Sequence, residues 1–153
     1  MNYPKHEIIR YRYAKIAIEL NINEISILFL NSLTLEFPEN ISYWGYLSNC
    51  CLSLNLYDLS MIACKKANEL ADEKQDWILM NIGNMLNNKG FYTEAITFLE
   101  QGLLLNKNSD YGHDRLAGAI RQKEEEKERS KTIAEQGRKL IREYIIIEIP
   151  PLA

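Results

Sequence analysis

The sequence predicts an all-α protein: a stack of helical hairpins closed by one long C-terminal helix. Three observations carry this reading. First, residues 76–109 (DWILMNIGNMLNNKGFYTEAITFLEQGLLLNKNS) hold two amphipathic helical patterns. Ile82, Gly83 and Leu86 share one face of the first helix, and Ala95, Ile96, Leu99, Gly102 and Leu103 recur at helical spacing along the second. Gly90 punctuates the join. Second, the same residue classes recur in units starting at Glu7, Ile41, Asp76 and Asp110, offset by 34, 35 and 34 residues. Third, no turn interrupts LAGAIRQKEEEKERSKTIAEQGRKLIREY after Asp110.

Each hairpin follows from the same local demands. The first spans about 7–38, the second 41–72 and the third 76–107. Small residues stand where two antiparallel helices approach most closely: Ala14 with Ser26, Ser48 with Ser60, Gly83 with Ala95, and Ala117 in the fourth unit. The residue before the first of each pair is large: Tyr13, Leu47, Ile82 and Leu116. Asn21, Asn55 and Gly90 occupy the turns, residue types that tolerate a left-handed backbone at a helix end. Pro38 falls just past the first hairpin, where it cannot continue helical hydrogen bonding.

The last helix is expected over about 110–145, roughly 50 Å long at 1.5 Å per residue. Leu116, Ala117 and Ile120 are placed to cover the open side of the third hairpin, as a terminal solenoid helix must. Residues 121–132 carry no apolar side chain, and pairs such as Glu125 with Arg129 and Glu124 with Lys127 are spaced to support a solvated helix. Apolar residues return at Ile133, Leu140, Ile141 and Tyr144, before an apolar tail at 146–153 that is unsuited to water.

The central unit resembles a tetratricopeptide repeat, a helix-turn-helix of about 34 residues with small residues at its eighth and twentieth positions. The second unit shares Trp44, Leu47, Tyr57, Ala67 and Leu70 with the family pattern, and the first departs from it at Arg10, Leu33 and Glu36. The resemblance covers about residues 7–120. It implies a right-handed α-solenoid in a single domain over 1–153, with the first helices of the hairpins lining a concave groove for a peptide. Family groove positions carried onto this chain give Tyr11, Lys15, Asn49, Leu52, Trp77, Met80, Asn84, Asn87, Asn88 and Arg121 as peptide contacts, with Tyr111 and Asp114 beside them. Asn49 and Asn84 share one repeat position, and amides both donate to and accept from a peptide backbone. Trp77 suits either a ligand or the neighbouring repeat. Some family members grip a C-terminal carboxylate with a basic clamp. Tyr11, Tyr46 and Trp77 stand at three of the clamp positions here, so a chaperone-tail ligand is not implied.

Composition narrows the function from the other side. The 153 residues are 46% hydrophobic and 25% charged, with a net charge of -3, so no global basic field draws in nucleic acid or anionic lipid. No run approaches the roughly 18 apolar residues of a membrane span, and MNYPKHEIIRYRY lacks a signal-like apolar core, so a cytoplasmic protein is expected. Arg121, Lys123, Lys127, Arg129 and Lys131 are offset by Glu124, Glu125, Glu126 and Glu128. Cys50, Cys51 and Cys64 lack zinc-ligand spacing and read as small core residues. His6 and His113 have no nucleophile or carboxylate pair arranged about them, so neither catalysis nor a cofactor is expected. The expected function is non-enzymatic binding of a protein or peptide. The alternatives are a small dedicated chaperone, similar to secretion chaperones of this repeat type, and a self-association module that dimerises through the last helix and tail.

Overall fold

The computed structural model describes residues 4–144, which form seven helices and no strand. They are α1 Pro4–Glu19, α2 Asn23–Glu36, α3 Ile41–Ser53, α4 Tyr57–Leu70, α5 Asp76–Asn88, α6 Tyr92–Leu105 and α7 Asp110–Tyr144. Each helix packs on the next, and α5 also touches α3 and α7. The odd-numbered helices thus form one layer and the even-numbered helices the other. The expected apolar tail lies outside the described residues.

The three hairpin turns are built alike. Asn21, Asn55 and Gly90 take φ values of 56°, 58° and 86°. The amides of Ile22, Leu56 and Phe91 reach back to the carbonyls of Ala17, Cys51 and Leu86 at 2.8, 2.8 and 2.9 Å. The preceding amides close the inner bond, so each first helix ends in a Schellman motif, which requires a left-handed residue at that point. The same three apolar residues then start the next helix, their carbonyls accepting from Ser26, Ser60 and Ala95.

Close packing at the small-residue pairs holds each hairpin together. Ser26 Oγ donates to the Ala14 carbonyl at 3.1 Å, and Ser60 Oγ donates to the Ser48 carbonyl at 2.9 Å. At the third pair, a Cβ on Gly83 would lie 2.7 Å from Leu99 Cγ and 3.0 Å from the Ala95 carbonyl oxygen. The α5–α6 contact therefore admits hydrogen alone at Gly83. Leu33, large where the repeat has a small residue, is fully buried in the first core cluster. α1 begins at Pro4, ahead of the expected 7, because proline suits the first turn of a helix.

The core is a row of three clusters, not a single centre. Ala14, Leu30, Leu33, Tyr43 and Leu47 join the first hairpin to the second. Cys64, Ala67, Ile78, Ile82 and Met85 join the second to the third, and Met80, Leu99, Leu103 and Ala119 join the third to α7. The cysteines are buried and free. Burial pushes the Cys50 and Cys64 thiols up to about 11, and Cys64 Sγ lies 2.9 Å from Ser48 Oγ. From Lys123 to Glu143 α7 is exposed to solvent except at Gly137, and Lys123, Glu126, Lys127 and Ser130 face the start of α6 across a hollow of about 360 Å³. Its ion pairs use the expected spacing with other partners: Glu125 meets Arg121 at 3.9 Å, and Glu128 meets Lys131 at 2.8 Å.

Candidate functional site

A trough runs along the layer of odd-numbered helices, where α3, α5 and α7 present their free faces. Its centre is a hollow of about 390 Å³ whose lining includes Asn49, Leu52, Asn81, Asn84, Asn88, Tyr111 and Arg115. Asn84, Asn88 and Arg115 continue into a second hollow of about 440 Å³ with Asn87, Asp114, Arg121 and Gln122. Asn49 continues the other way, into a hollow of about 200 Å³ against Ser42, Gly45, Tyr46 and Trp77.

One amide links the three helices. Asn81 Nδ2 donates to Asn49 Oδ1 on α3 at 2.7 Å, and Asn81 Oδ1 accepts from the Tyr111 hydroxyl on α7 at 3.2 Å. Asn81 is 6% exposed, as is Asn84 one turn along α5, whose carbonyl oxygen accepts from Asn88 Nδ2 at 2.9 Å. Asn87 Oδ1 and Gln122 Oε1, both in the second hollow, are shielded from solvent and accept no hydrogen bond from the described residues. The Arg115 guanidinium sits 5.3 Å from the Tyr111 ring centre. Burial raises the Tyr111 pKa. The trough is thus rich in neutral amides, with Arg115 and Arg121 as the cations lining it.

The sequence-derived residues divide into four groups. Asn49, Leu52, Asn84 and Asn88 meet in the central hollow, and Asn84, Asn87, Asn88 and Arg121 in the next. Trp77 is half-buried and covers Gly45, where a Cβ would lie 2.9 Å from the indole, so it is a contact between repeats that also lines the third hollow. Tyr11 and Lys15 lie beyond Tyr46. The Tyr11 ring packs on Tyr43 and Tyr46 at 5.4 and 6.0 Å, and Lys15 Nζ donates to the Tyr46 hydroxyl at 3.0 Å. That hydrogen bond lowers the Tyr46 pKa and raises that of Lys15.

Met80 is a correction. It is 2% exposed and belongs to the core, not to the groove surface. Gly102 on α6 and Gly112 on α7 leave the space it fills: a Cβ on either would lie within 2.8 Å of Met80 atoms.

Asn81, Arg115, Ser53, Asn55, Tyr57 and Gln122 were not among the residues carried over, yet they line the trough. A signal for the first two was available. Asn81 and Arg115 hold the sixth position of their units, as Tyr46 does in the second. That position is four residues after the second and three before the ninth, and so lies on the same helical face as the positions used.

No family model and no curated protein matches the chain. Solved structures do. The Sgt2 TPR domain from Aspergillus fumigatus superposes with a TM-score of 0.69 at 16% identity, over 99% of this chain and 92% of that one. The second TPR domain of human RPAP3, in complex with the HSP70 peptide SGPTIEEVD, gives 0.68 at 16%, over 76% and 96%. The Yersinia enterocolitica type III secretion chaperone SycD, in complex with a peptide of the translocator YopD, gives 0.65 at 17%, over 74% and 92%. The chain therefore has the tetratricopeptide-repeat fold, all-α and without strands among the described residues.

Proposed function

From the tetratricopeptide-repeat fold, we propose that this chain is a non-enzymatic module that holds an extended peptide segment with acidic character in the trough between Trp77 and Arg121. The observation that carries the reading is the convergence of Asn49, Asn81, Asn84 and Asn88 with Arg115 in one hollow of about 390 Å³. An extended peptide brings unpaired N–H and C=O groups at every residue, and side-chain amides answer both kinds. Arg115 and Arg121 supply the attraction for a carboxylate, and a guanidinium can hold one through two parallel hydrogen bonds. Two of the three neighbours described above hold peptides, which supports a peptide ligand for the same fold here.

Selection of a random peptide library on the folded protein tests the reading. Enriched sequences are expected to carry Asp or Glu. Arg115→Ala is expected to weaken their binding about 10- to 100-fold, from the roughly 1.5–3 kcal/mol of a charged hydrogen bond. Asn84→Ala should weaken it too, with the helical circular dichroism unchanged. Enrichment of sequences without acidic residues, or affinity indifferent to both substitutions, would sink the proposal.

A further inference from the structure

We propose that the outer face of the first hairpin is a homodimer interface in which α1 pairs antiparallel with α1 of a second copy. In the later repeats, the third, seventh and tenth positions pack on the preceding hairpin. Tyr43, Leu47 and Cys50 are buried there, as are Ile78, Ile82 and Met85. The equivalents on α1 are Ile9, Tyr13 and Ile16, which are 49%, 56% and 50% exposed, and Leu20, at 64%, extends the row by a turn. Ile22 and Ile25 widen it, and Phe29 stacks on Tyr13 at 5.7 Å between ring centres. Such a face is apolar where the end of a solenoid is ordinarily polar. At the opposite end α7 packs over the third hairpin.

Two features select a second copy in one orientation. Ile9, Tyr13, Ile16 and Leu20 are spaced by four, three and four residues. This is the step of a coiled-coil seam, and it reads the same in both directions. An antiparallel copy therefore sets Ile9 against Leu20 and Tyr13 against Ile16, about a two-fold axis between Ala14 and Lys15, as a self-complementary contact requires. Exposed Arg12 and Glu19 flank the seam on one side. In this register, Arg12 of each copy comes within about 3 Å, along the helix axis, of Glu19 of the other. The α2 side of the seam is closed by its own hairpin, so the contact is expected at the small end of stable interfaces, about 1,200 Å² in total, where association is weak.

Sedimentation equilibrium of the full chain tests this. A weak monomer–dimer equilibrium is expected, lost in Tyr13→Glu/Ile16→Glu while the helical circular dichroism is kept. Arg12→Glu and Glu19→Arg alone should each weaken the dimer about tenfold. An equimolar mixture of those two proteins should recover wild-type association, because each copy then offers two charges of one sign. A wild-type chain that is monomeric at millimolar concentration would overturn the proposal. So would a dimer abolished by Ile133→Glu/Leu140→Glu on α7 and not by the α1 substitutions, or a mixture that fails to recover.

Discussion

Replacing Asn81 by alanine removes the one side chain that joins α3, α5 and α7 across the trough. Two hydrogen bonds are lost, to Asn49 Oδ1 at 2.7 Å and from the Tyr111 hydroxyl at 3.2 Å. Each contributes about 0.5–1.5 kcal/mol net, so the range is about 1–3 kcal/mol. Asn49 is exposed to water and the Asn84 side chain remains as a partner for the buried Tyr111 hydroxyl, so neither stranded group is left without a hydrogen bond. That places the expected loss near the middle, about 2 kcal/mol. Asn49→Ala breaks only one of the bonds and should cost about 0.5–1 kcal/mol. Urea unfolding followed by circular dichroism, on the two single variants and the double variant, gives the coupling. It should be about 0.5–1.5 kcal/mol, since the second substitution has no bond left to break. A coupling within about 0.3 kcal/mol of zero would refute the reasoning, because residues that share no interaction add to within that margin. The amide link would then be a proximity and not a tie between repeats.

Three further outcomes are expected. Gly83→Ala gains about 1 kcal/mol of helix propensity, but its Cβ meets Leu99 Cγ at 2.7 Å and a backbone oxygen at 3.0 Å. A net destabilisation of about 1–2 kcal/mol should follow, whereas Gly118→Ala, with nothing within 4 Å, should stabilise; equal effects in urea unfolding would contradict the packing argument. Met80→Ala should lower stability by about 2–5 kcal/mol, and any peptide affinity per folded molecule should stay within a few-fold of wild type; a selective loss of binding would return Met80 to the groove. The Cys50 and Cys64 thiols, raised to about 11 in the fold, hold protons that the unfolded chain has released above about 9. Their contribution is therefore intact below pH 9 and lost as pH rises toward 11, at about 1.4 kcal/mol per pH unit for each thiol; thermal melts in Cys50→Ala/Cys64→Ala should show a shallower alkaline decline.

The fold could be read from the sequence because its demands are local and recur. A left-handed residue is needed at 21, 55 and 90, and each place holds Asn or Gly. Close helix contact needs a small residue at 14, 48 and 83, and each has one. Such requirements survive position counting even where the first unit departs from the pattern, since Leu33 only has to find space in a cluster that accepts it. The trough is harder because it depends on what a neighbouring helix lacks. Gly45 and Met80 hold the same repeat position, yet a tryptophan lies over the first and two glycines make room for the second to sink inward. Those glycines belong to α6 and α7, beyond the reach of any periodicity within α5. The Asn81 bonds cross 32 and 30 residues of chain, one repeat in each direction. Position arithmetic can bring those three residues to one height, but only packing decides that they touch. The same reasoning gives the exposed row on α1 its meaning. Ile9, Tyr13 and Ile16 repeat a pattern that is buried in both later hairpins, so their exposure reflects the packing around them and not a change in their chemistry.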